Sequence, residues 1–407
     1  MKGMNDIFSD EILTRHYVNS TAANVFRRYG FSEVQTPILE EIDIFIRSAG
    51  KGSDIVTKEM YTFNNDDGKI ICARPEGTAG VIRALIQNKL ISNETESKVF
   101  YIGSMFRKER PQRGRFREFC QIGAEFVGSD TSTVDIEFLA MIYDWLSNLP
   151  LKSSVKLLIN DLGEPEERKK YLQSFKKQFR PVIDEFCDFC KKRFNKNTLR
   201  LLDCKNITCK RMTQFAPNIL DFLNSKSIKR FNEVQEGLKN LKIPFKVSKT
   251  LVRGLDYYTK TVFEFVSESG LGSQNAIAGG GRYDGLSHAL GGPDVPAIGM
   301  AAGLERILLL LEKEKLNLDS NTPDLAIIYA DEPGRKKAFE LLFKLRNRGL
   351  YIDFEHKIKS VKSQMRRANR LKTKEVLIIG TREIENDEVQ IKSMNSGQIR
   401  LEKLSSI

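Results

Sequence analysis

At 407 residues and 41% apolar composition, the chain is long enough for two or three domains with substantial cores. It lacks any apolar run near the roughly 20 residues of a membrane span. Its six cysteines lack the dense even pattern of a secreted disulfide scaffold, and residues 1–11 carry acids where a signal peptide needs an apolar core, so a cytoplasmic protein is expected. The net charge of +12 is uneven: residues 335–374 hold 14 Lys and Arg against 3 Asp and Glu, which favours a polyanionic partner for that block.

The first element expected is a helix capped by Ser9, with Asp10 and Glu11 in its first turn. Its apolar stripe is Ile12, Val18, Ala22, Val25, Phe26 and Tyr29, and Gly30 ends it. A strand over 30–37 follows, with Pro37 at its end because proline has no N–H to give a ladder. Residues 70–73 read as a strand and 79–90 as a helix, with Arg74-Pro75-Glu76-Gly77-Thr78 at the corner between them. Glu76 there is either a carboxylate favoured by the helix N-terminus or an anchor for a ligand ammonium group.

Residues 99–106 and 116–127 are rich in aromatic and β-branched side chains, and 108–115 contains Pro111 and Gly114, so a long-looped hairpin is expected. Six cations, Arg107, Lys108, Arg110, Arg113, Arg115 and Arg117, fall within eleven residues. Guanidinium forks suit phosphate oxygens through paired donors. In the exit strand, period-two alternation puts Phe119, Gln121, Gly123 and Glu125 on one face, and the glycine leaves a gap between an amide and a carboxylate for a small ammonium ligand. The competing reading is a salt-bridge network on an ordinary hairpin.

A helix over 135–149 and a strand over 155–159 come next, then a Lys- and Glu-rich helical insertion over 163–242. It holds Cys187-x2-Cys190 and, after thirteen intervening residues, Cys204-x4-Cys209, which is close to zinc-site spacing. Plain buried thiols fit equally well, and whether zinc is bound stays open. Strand-like residues return at 250 with LVRGLDYYT (251–259) and 261–266. AGGGRYDG (278–285) reads as a glycine-rich turn that a ligand can approach closely, without the Lys-Ser/Thr ending of a P-loop. Small residues over 298–303 lead into a helix over 307–311, beside which Arg306 is a second phosphate-binding candidate. After a linker over 317–323, a separate α/β unit is expected: strand 325–329, helix 335–347, strand 351–354, helix 358–371, strand 376–380 and two short terminal strands. The second of those helices carries Lys359, Lys362, Arg366, Arg367 and Arg370, a nucleic-acid-binding face or a solvated one.

These residues resemble the histidyl-tRNA synthetases over nearly the whole chain. Residues 30–40, 100–125 and 298–307 are similar to motifs 1, 2 and 3 of the class II synthetases, and 251–259 and 278–286 resemble the two histidine-specific signatures. The resemblance implies an α+β chain. A class II antiparallel-sheet catalytic domain would span 1–162 and 243–316, with a helical insertion over 163–242 and a C-terminal α/β anticodon-binding domain over 324–407. It implies a homodimer whose interface uses residues 30–37, and attachment of L-histidine to tRNA(His) through a histidyl-adenylate, with ATP as substrate and Mg2+ accompanying it. By resemblance, Arg107 and Arg306 hold ATP phosphates, with Glu109 and Arg115 beside them, and Phe119 stacks on adenine. Arg253 stabilises the α-phosphate and the substrate carboxylate. Glu76, Gly77, Thr78 and Gln121 receive the substrate ammonium end, while Glu125, Tyr257, Tyr258 and Tyr283 line the imidazole pocket. Gln112 and Arg117 fall near the base preceding the terminal CCA of the tRNA. One departure is Cys120, where motif 2 of the family has a histidine.

Such a reaction proceeds by positioning and charge stabilisation, so it calls for arginines and glycines and no protein nucleophile. Two other classes compete. A non-catalytic regulatory paralogue of ATP phosphoribosyltransferase would keep the fold and lose the catalytic arginines and the C-terminal domain, and a plain nucleic-acid-binding module would leave the arginine and glycine constellation without a use.

Overall fold

The two aromatic-rich runs pair as strands Ser97–Phe106 and Glu118–Val127, antiparallel from Ser97 opposite Val127 to Phe106 opposite Glu118. Around this hairpin the computed structural model, which describes residues 1–50, 53, 55–151, 155–255, 257–268, 275–312 and 322–407, builds an eight-stranded sheet. Its order is Ser32–Glu33, Ser97–Phe106, Glu118–Val127, Ala297–Gly303, Ala276–Arg282, Thr259–Ser267, Val155–Asp161 and Phe245–Val247. The central strands are antiparallel and only the two edge strands join in parallel. The chain divides into two units, Met1–Leu316 and Asn317–Ile407.

One face of the sheet is covered by helices Ser9–Arg28 and Ser132–Ser147, whose apolar stripes supply Val18, Ala22, Val25, Phe26, Phe138 and Trp145 to the main core. Phe26 meets Phe100 and Trp145 edge-on, at centroid separations of 5.6 and 5.5 Å. The first helix begins at Ser9 with Phe8 in the extended cap position, so Ser9 is not its cap, and it ends before Gly30 at φ +83. Only Ser32–Glu33 of the strand expected over 30–37 pairs. A three-stranded sheet of Leu39–Glu41, Ile70–Ala73 and Tyr61–Asn64 precedes helix Thr78–Gln87; of its strands only Ile70–Ala73 was read from the sequence.

Two glycine-rich stretches correct the sequence reading. Residues 278–282, expected as a turn, belong to the central strand Ala276–Arg282, and the small residues before Arg306 form strand Ala297–Gly303, with the helix starting at Leu304. The glycines are there because the sheet leaves no room for a Cβ, which at Gly280 would fall 1.9 Å from the Gly299 carbonyl oxygen. Conversely, residues 251–255 and 257–258 of the expected strand form none, and residue 256 lies outside the described residues.

The insertion consists of helices Pro165–Phe179, Asp188–Lys196, Ile207–Thr213 and Ser225–Asn240 with short 3-10 turns between them. Tyr171, Phe175, Phe179, Phe186, Phe194 and Leu201 form its core, which also takes in Leu251, Val252 and Tyr258. In the second unit, the sheet order is Ile352–Phe354, Leu325–Tyr329, Glu375–Ile379, Glu388–Ser393 and Ile399–Lys403, the first three parallel and the rest antiparallel. Helices Glu332–Asn347 and Val361–Arg370 pack on it. Lys359, Lys362, Arg366 and Arg370 are exposed, whereas Arg367 is tied bidentately to Asp353 at 2.8 and 2.9 Å. Residues 317–321 of the expected linker lie outside the described residues.

A buried ion network ties the layers of the first unit together. Asp135, on helix Ser132–Ser147, accepts from Arg282 Nε at 2.7 Å and from Arg230 Nη2 of the insertion at 2.7 Å, and Arg282 also donates to the Ser129 carbonyl. Asp135 and Arg282 are both 0% exposed. Removing one partner of such a network leaves uncompensated charge, so Asp135→Ala should cost about 3–5 kcal/mol of stability in a denaturant titration. A loss below about 1 kcal/mol would mean that the network is not a structural tie.

Candidate functional site

A cavity of about 250 Å3 opens over the sheet face opposite the main core, between the hairpin loop, the 74–78 corner and the glycine strands. Most of the residues singled out from sequence converge on it: Glu76, Thr78, Arg107, Glu109, Arg115, Phe119, Gln121, Arg253, Tyr257, Tyr258 and Arg306 all line it. Gly77, Glu125 and Tyr283 stand behind its wall, and Gln112 and Arg117 lie on the loop outside it.

The positive end is built by the loop and the helix after strand Ala297–Gly303. Arg107 Nε donates to the Pro75 carbonyl at 2.8 Å, and its guanidinium lies 5.2 Å from the Phe119 ring centroid. Glu109 bridges Arg115 at 3.2 Å and Arg107 at 3.7 Å. Arg306 Nη1 donates to the Ala276 carbonyl at 2.8 Å, which anchors it across the end of the glycine strand. Burial, and then the neighbouring charges of Arg115 and Arg107, push the Arg306 guanidinium below its ordinary pKa. Three guanidiniums lining this end beside Glu109 favour an anion.

Arg253 lies over Gly279, where a Cβ would fall 2.5 Å from Nη1. It pairs with Glu264, and Tyr258 covers it at 5.7 Å. Burial disfavours its charge, but Tyr258 and Glu264 outweigh that and hold its pKa above the ordinary value.

The opposite end is a cluster of buried acids and tyrosines. Glu76, one residue before the N-cap Gly77, serves the start of helix Thr78–Gln87, accepting from the backbone N–H of Thr78 at 2.8 Å and of Ala79 at 3.0 Å. Its first, plainer reading therefore holds, while it also faces the cavity. Glu125 is fully buried and accepts from the Thr78 hydroxyl at 2.7 Å and from the Tyr283 hydroxyl. Gly299 makes space for that carboxylate, since a Cβ there would fall 1.6 Å from Oε2. Burial pushes the Glu125 carboxyl well above the usual range, opposed by the Tyr283 and Thr78 hydroxyls and reinforced by the charge of Glu76. The Gln121 amide oxygen is buried with no partner among the described residues.

The gap expected beside Gly123 is filled. Tyr101, directly opposite in the hairpin, lays its ring over both Gly123 and Gly77, either of which would put a Cβ 2.2 Å from it. Tyr101 and Glu264 were missed from sequence. Glu264 left a signal, a lone acid inside the apolar run 261–266 of a central strand; Tyr101 left none, because an aromatic in a strand reads as core.

The family model for histidyl-tRNA synthetase matches residues 3–307, and that for the anticodon-binding domain matches 324–406. The histidine–tRNA ligase of Listeria innocua is 41% identical over 98% of this chain and 94% of its own. That of Halothermothrix orenii is 42% identical with the same coverage of both chains. The chain belongs to the histidyl-tRNA synthetase family. Among solved structures, the apo histidyl-tRNA synthetase of S. aureus superposes with a TM-score of 0.84 at 35% identity, covering 100% of this chain and 97% of the other. The fold is accordingly that of a class II synthetase, an antiparallel-rich catalytic sheet with a C-terminal anticodon-binding domain.

Cys120, the departure from the family's motif 2, does not disturb its strand. Its N–H donates to both oxygens of Glu305, at 3.1 and 3.2 Å, and Arg15 pairs with the same carboxylate. Burial, with the charge of Glu305, pushes the Cys120 thiol up to about 12, so it stays a neutral packing group. For this member of the histidyl-tRNA synthetase family, inorganic pyrophosphate should stabilise the fold by linkage, by about 2.7 kcal/mol at 100 times Kd, and so raise the melting temperature. Arg306→Ala should remove most of that rise in a thermal-shift assay; an undiminished shift would place the anion elsewhere.

Proposed function

We infer that the protein attaches L-histidine to tRNA(His) in two steps, with ATP as substrate and a histidyl-adenylate between them. The observation that carries the reading is the convergence of Arg107, Arg306 and Arg253 on one cavity whose other end holds Gln121, Tyr257 and Tyr258, in a chain of this family. The histidine carboxylate attacks the α-phosphorus and pyrophosphate leaves; a terminal ribose hydroxyl of the tRNA then attacks the carbonyl, and AMP leaves. Neither step needs a protein nucleophile.

In this reading Arg107 and Arg306 hold the phosphates, Glu109 fixes Arg115 beside them, and adenine stacks on Phe119. Arg253, held over Gly279 by Glu264, faces the charge that grows on the α-phosphate. The substrate ammonium end meets Glu76, Gly77, Thr78 and Gln121, supported by the unpaired buried oxygen of Gln121. The imidazole is read by Glu125, Tyr257, Tyr258 and Tyr283; unpaired buried acceptors and hydroxyls then penalise analogues without ring nitrogens. The carboxylates of Glu109 and Glu264 in the lining would offer hard oxygen donors to an Mg2+ ion arriving with ATP, which would screen the phosphate charge. At the loop tip, Gln112 is exposed beyond Gly114 and Arg117 braces the loop through the Glu109 carbonyl at 3.3 Å, an arrangement suited to the acceptor end of the tRNA. The working form is a homodimer using residues 30–37, next to which Ile38 and Leu39 are half exposed.

The regulatory-paralogue reading is disfavoured because Arg107, Arg253, Arg306 and an anticodon-binding match over 324–406 are all retained. The test is ATP-dependent acylation of tRNA(His) with labelled histidine, which the reading requires. Arg253→Ala should lower the rate of adenylation by about 100- to 1000-fold while leaving histidine affinity within a few-fold, since its charge serves mainly the transition state. Equal losses in both would take Arg253 out of that role.

A further inference from the structure

The synthetase reaction makes no use of the four cysteines of the helical insertion, yet the fold brings them together. Cys187 caps helix Asp188–Lys196 and Cys190 lies in its first turn; Cys209 lies in the first turn of Ile207–Thr213, with Cys204 just ahead of it. All four Sγ atoms fall within 4.8 Å of one another, and those of Cys187 and Cys204 are 3.8 Å apart. None is in a disulfide, whose sulfurs would be about 2.05 Å apart. Four sulfurs arranged tetrahedrally, each about 2.3 Å from a zinc ion, are themselves about 3.8 Å apart. The Cys187 N–H points at Cys209 Sγ at 3.2 Å, the kind of outer hydrogen bond that orients a thiolate ligand.

The surroundings also suit a metal tie. Cys190 and Cys209 are fully buried and Cys187 and Cys204 partly so, against Phe186, Phe194, Leu201 and Leu202. The two helices are only nine and seven residues long, too short to be stable by themselves. We propose that Cys187, Cys190, Cys204 and Cys209 bind one zinc ion as a four-thiolate structural site that staples these two helices. Each thiol gives up its proton on binding. The staple also stiffens one wall of the cavity, because the same core contains Val252 and Tyr258 and Arg168 of the insertion donates to the Tyr258 carbonyl at 2.6 Å.

Full-length protein expressed with zinc and purified without chelator should carry one zinc per chain by metal analysis. A mercurial thiol reagent should release that zinc. Exchange with cobalt(II) should give thiolate-to-cobalt charge-transfer and tetrahedral d–d bands. Cys204→Ser and Cys187→Ser should each lose the metal and lower the melting temperature, while Cys72→Ser, a buried thiol elsewhere, keeps it. If the serine variants fail to fold, the stoichiometry and cobalt spectrum of the unmodified chain decide. Folded protein that stays metal-free after incubation with zinc, a cobalt spectrum without thiolate bands, or a Cys187–Cys204 disulfide found by mass spectrometry would overturn the site.

Discussion

Side chains as large as arginine, tyrosine and glutamate lie flat against this sheet because the strand positions beneath them carry no Cβ. Gly279 lies under Arg253, Gly123 under Tyr101, Gly299 beside the Glu125 carboxylate and Gly103 beside Arg74, while Gly77, at the corner before helix Thr78–Gln87, also meets the Tyr101 ring. A methyl group at any of these positions would fall within 2.5 Å of the group it serves. Because protein interiors are close-packed, such a group would have to move, and its polar atoms would move with it. The main core and the site thus use the two faces of one sheet differently. One face is filled by helices in the ordinary way, and the other is thinned to backbone so that polar groups can stand at fixed heights.

That thinning makes a small cavity with two unlike ends. At one end burial, together with the charges of Arg115 and Arg107, disfavours the charged form of Arg306, a state that a polyphosphate relieves. At the other, burial raises the carboxyls of Glu76 and Glu125 while hydroxyls and helix N–H groups hold them in place. Arg253 lies between, oriented by Glu264. A substrate with a carboxylate facing the arginines and a polar ring facing the buried acids fits this gradient, and no nucleophile is needed where geometry and charge carry the step.

Much of this was legible in the residues. Period-two alternation exposed the hairpin, the run of arginines marked its loop, and the break at 163 announced a helical insertion. The glycine run at 278–285 was misread as a turn because glycine gives the same local signal in a turn and in a strand crowded from outside, and the small residues over 298–303 were read only as a lead into the next helix. What occupies that space is a tertiary fact: Tyr101 over Gly123, Arg253 over Gly279 and Glu125 beside Gly299 come from other elements. Glu76 was read two ways and serves the helix N-terminus while facing the cavity; Arg367 was read as part of a free basic face and is committed to Asp353. The spacing of Cys187, Cys190, Cys204 and Cys209 left zinc open, since convergence of four sulfurs is not a property of spacing.

The central claim is that this cavity joins histidine to the α-phosphate of ATP and selects it by both ring nitrogens. The most direct measurement is exchange of labelled pyrophosphate into ATP by the purified full-length protein, run with each of the twenty amino acids in turn. The account predicts exchange that depends on L-histidine and on no other amino acid. No exchange with L-histidine, or equal exchange with phenylalanine or another amino acid lacking the imidazole nitrogens, would contradict it.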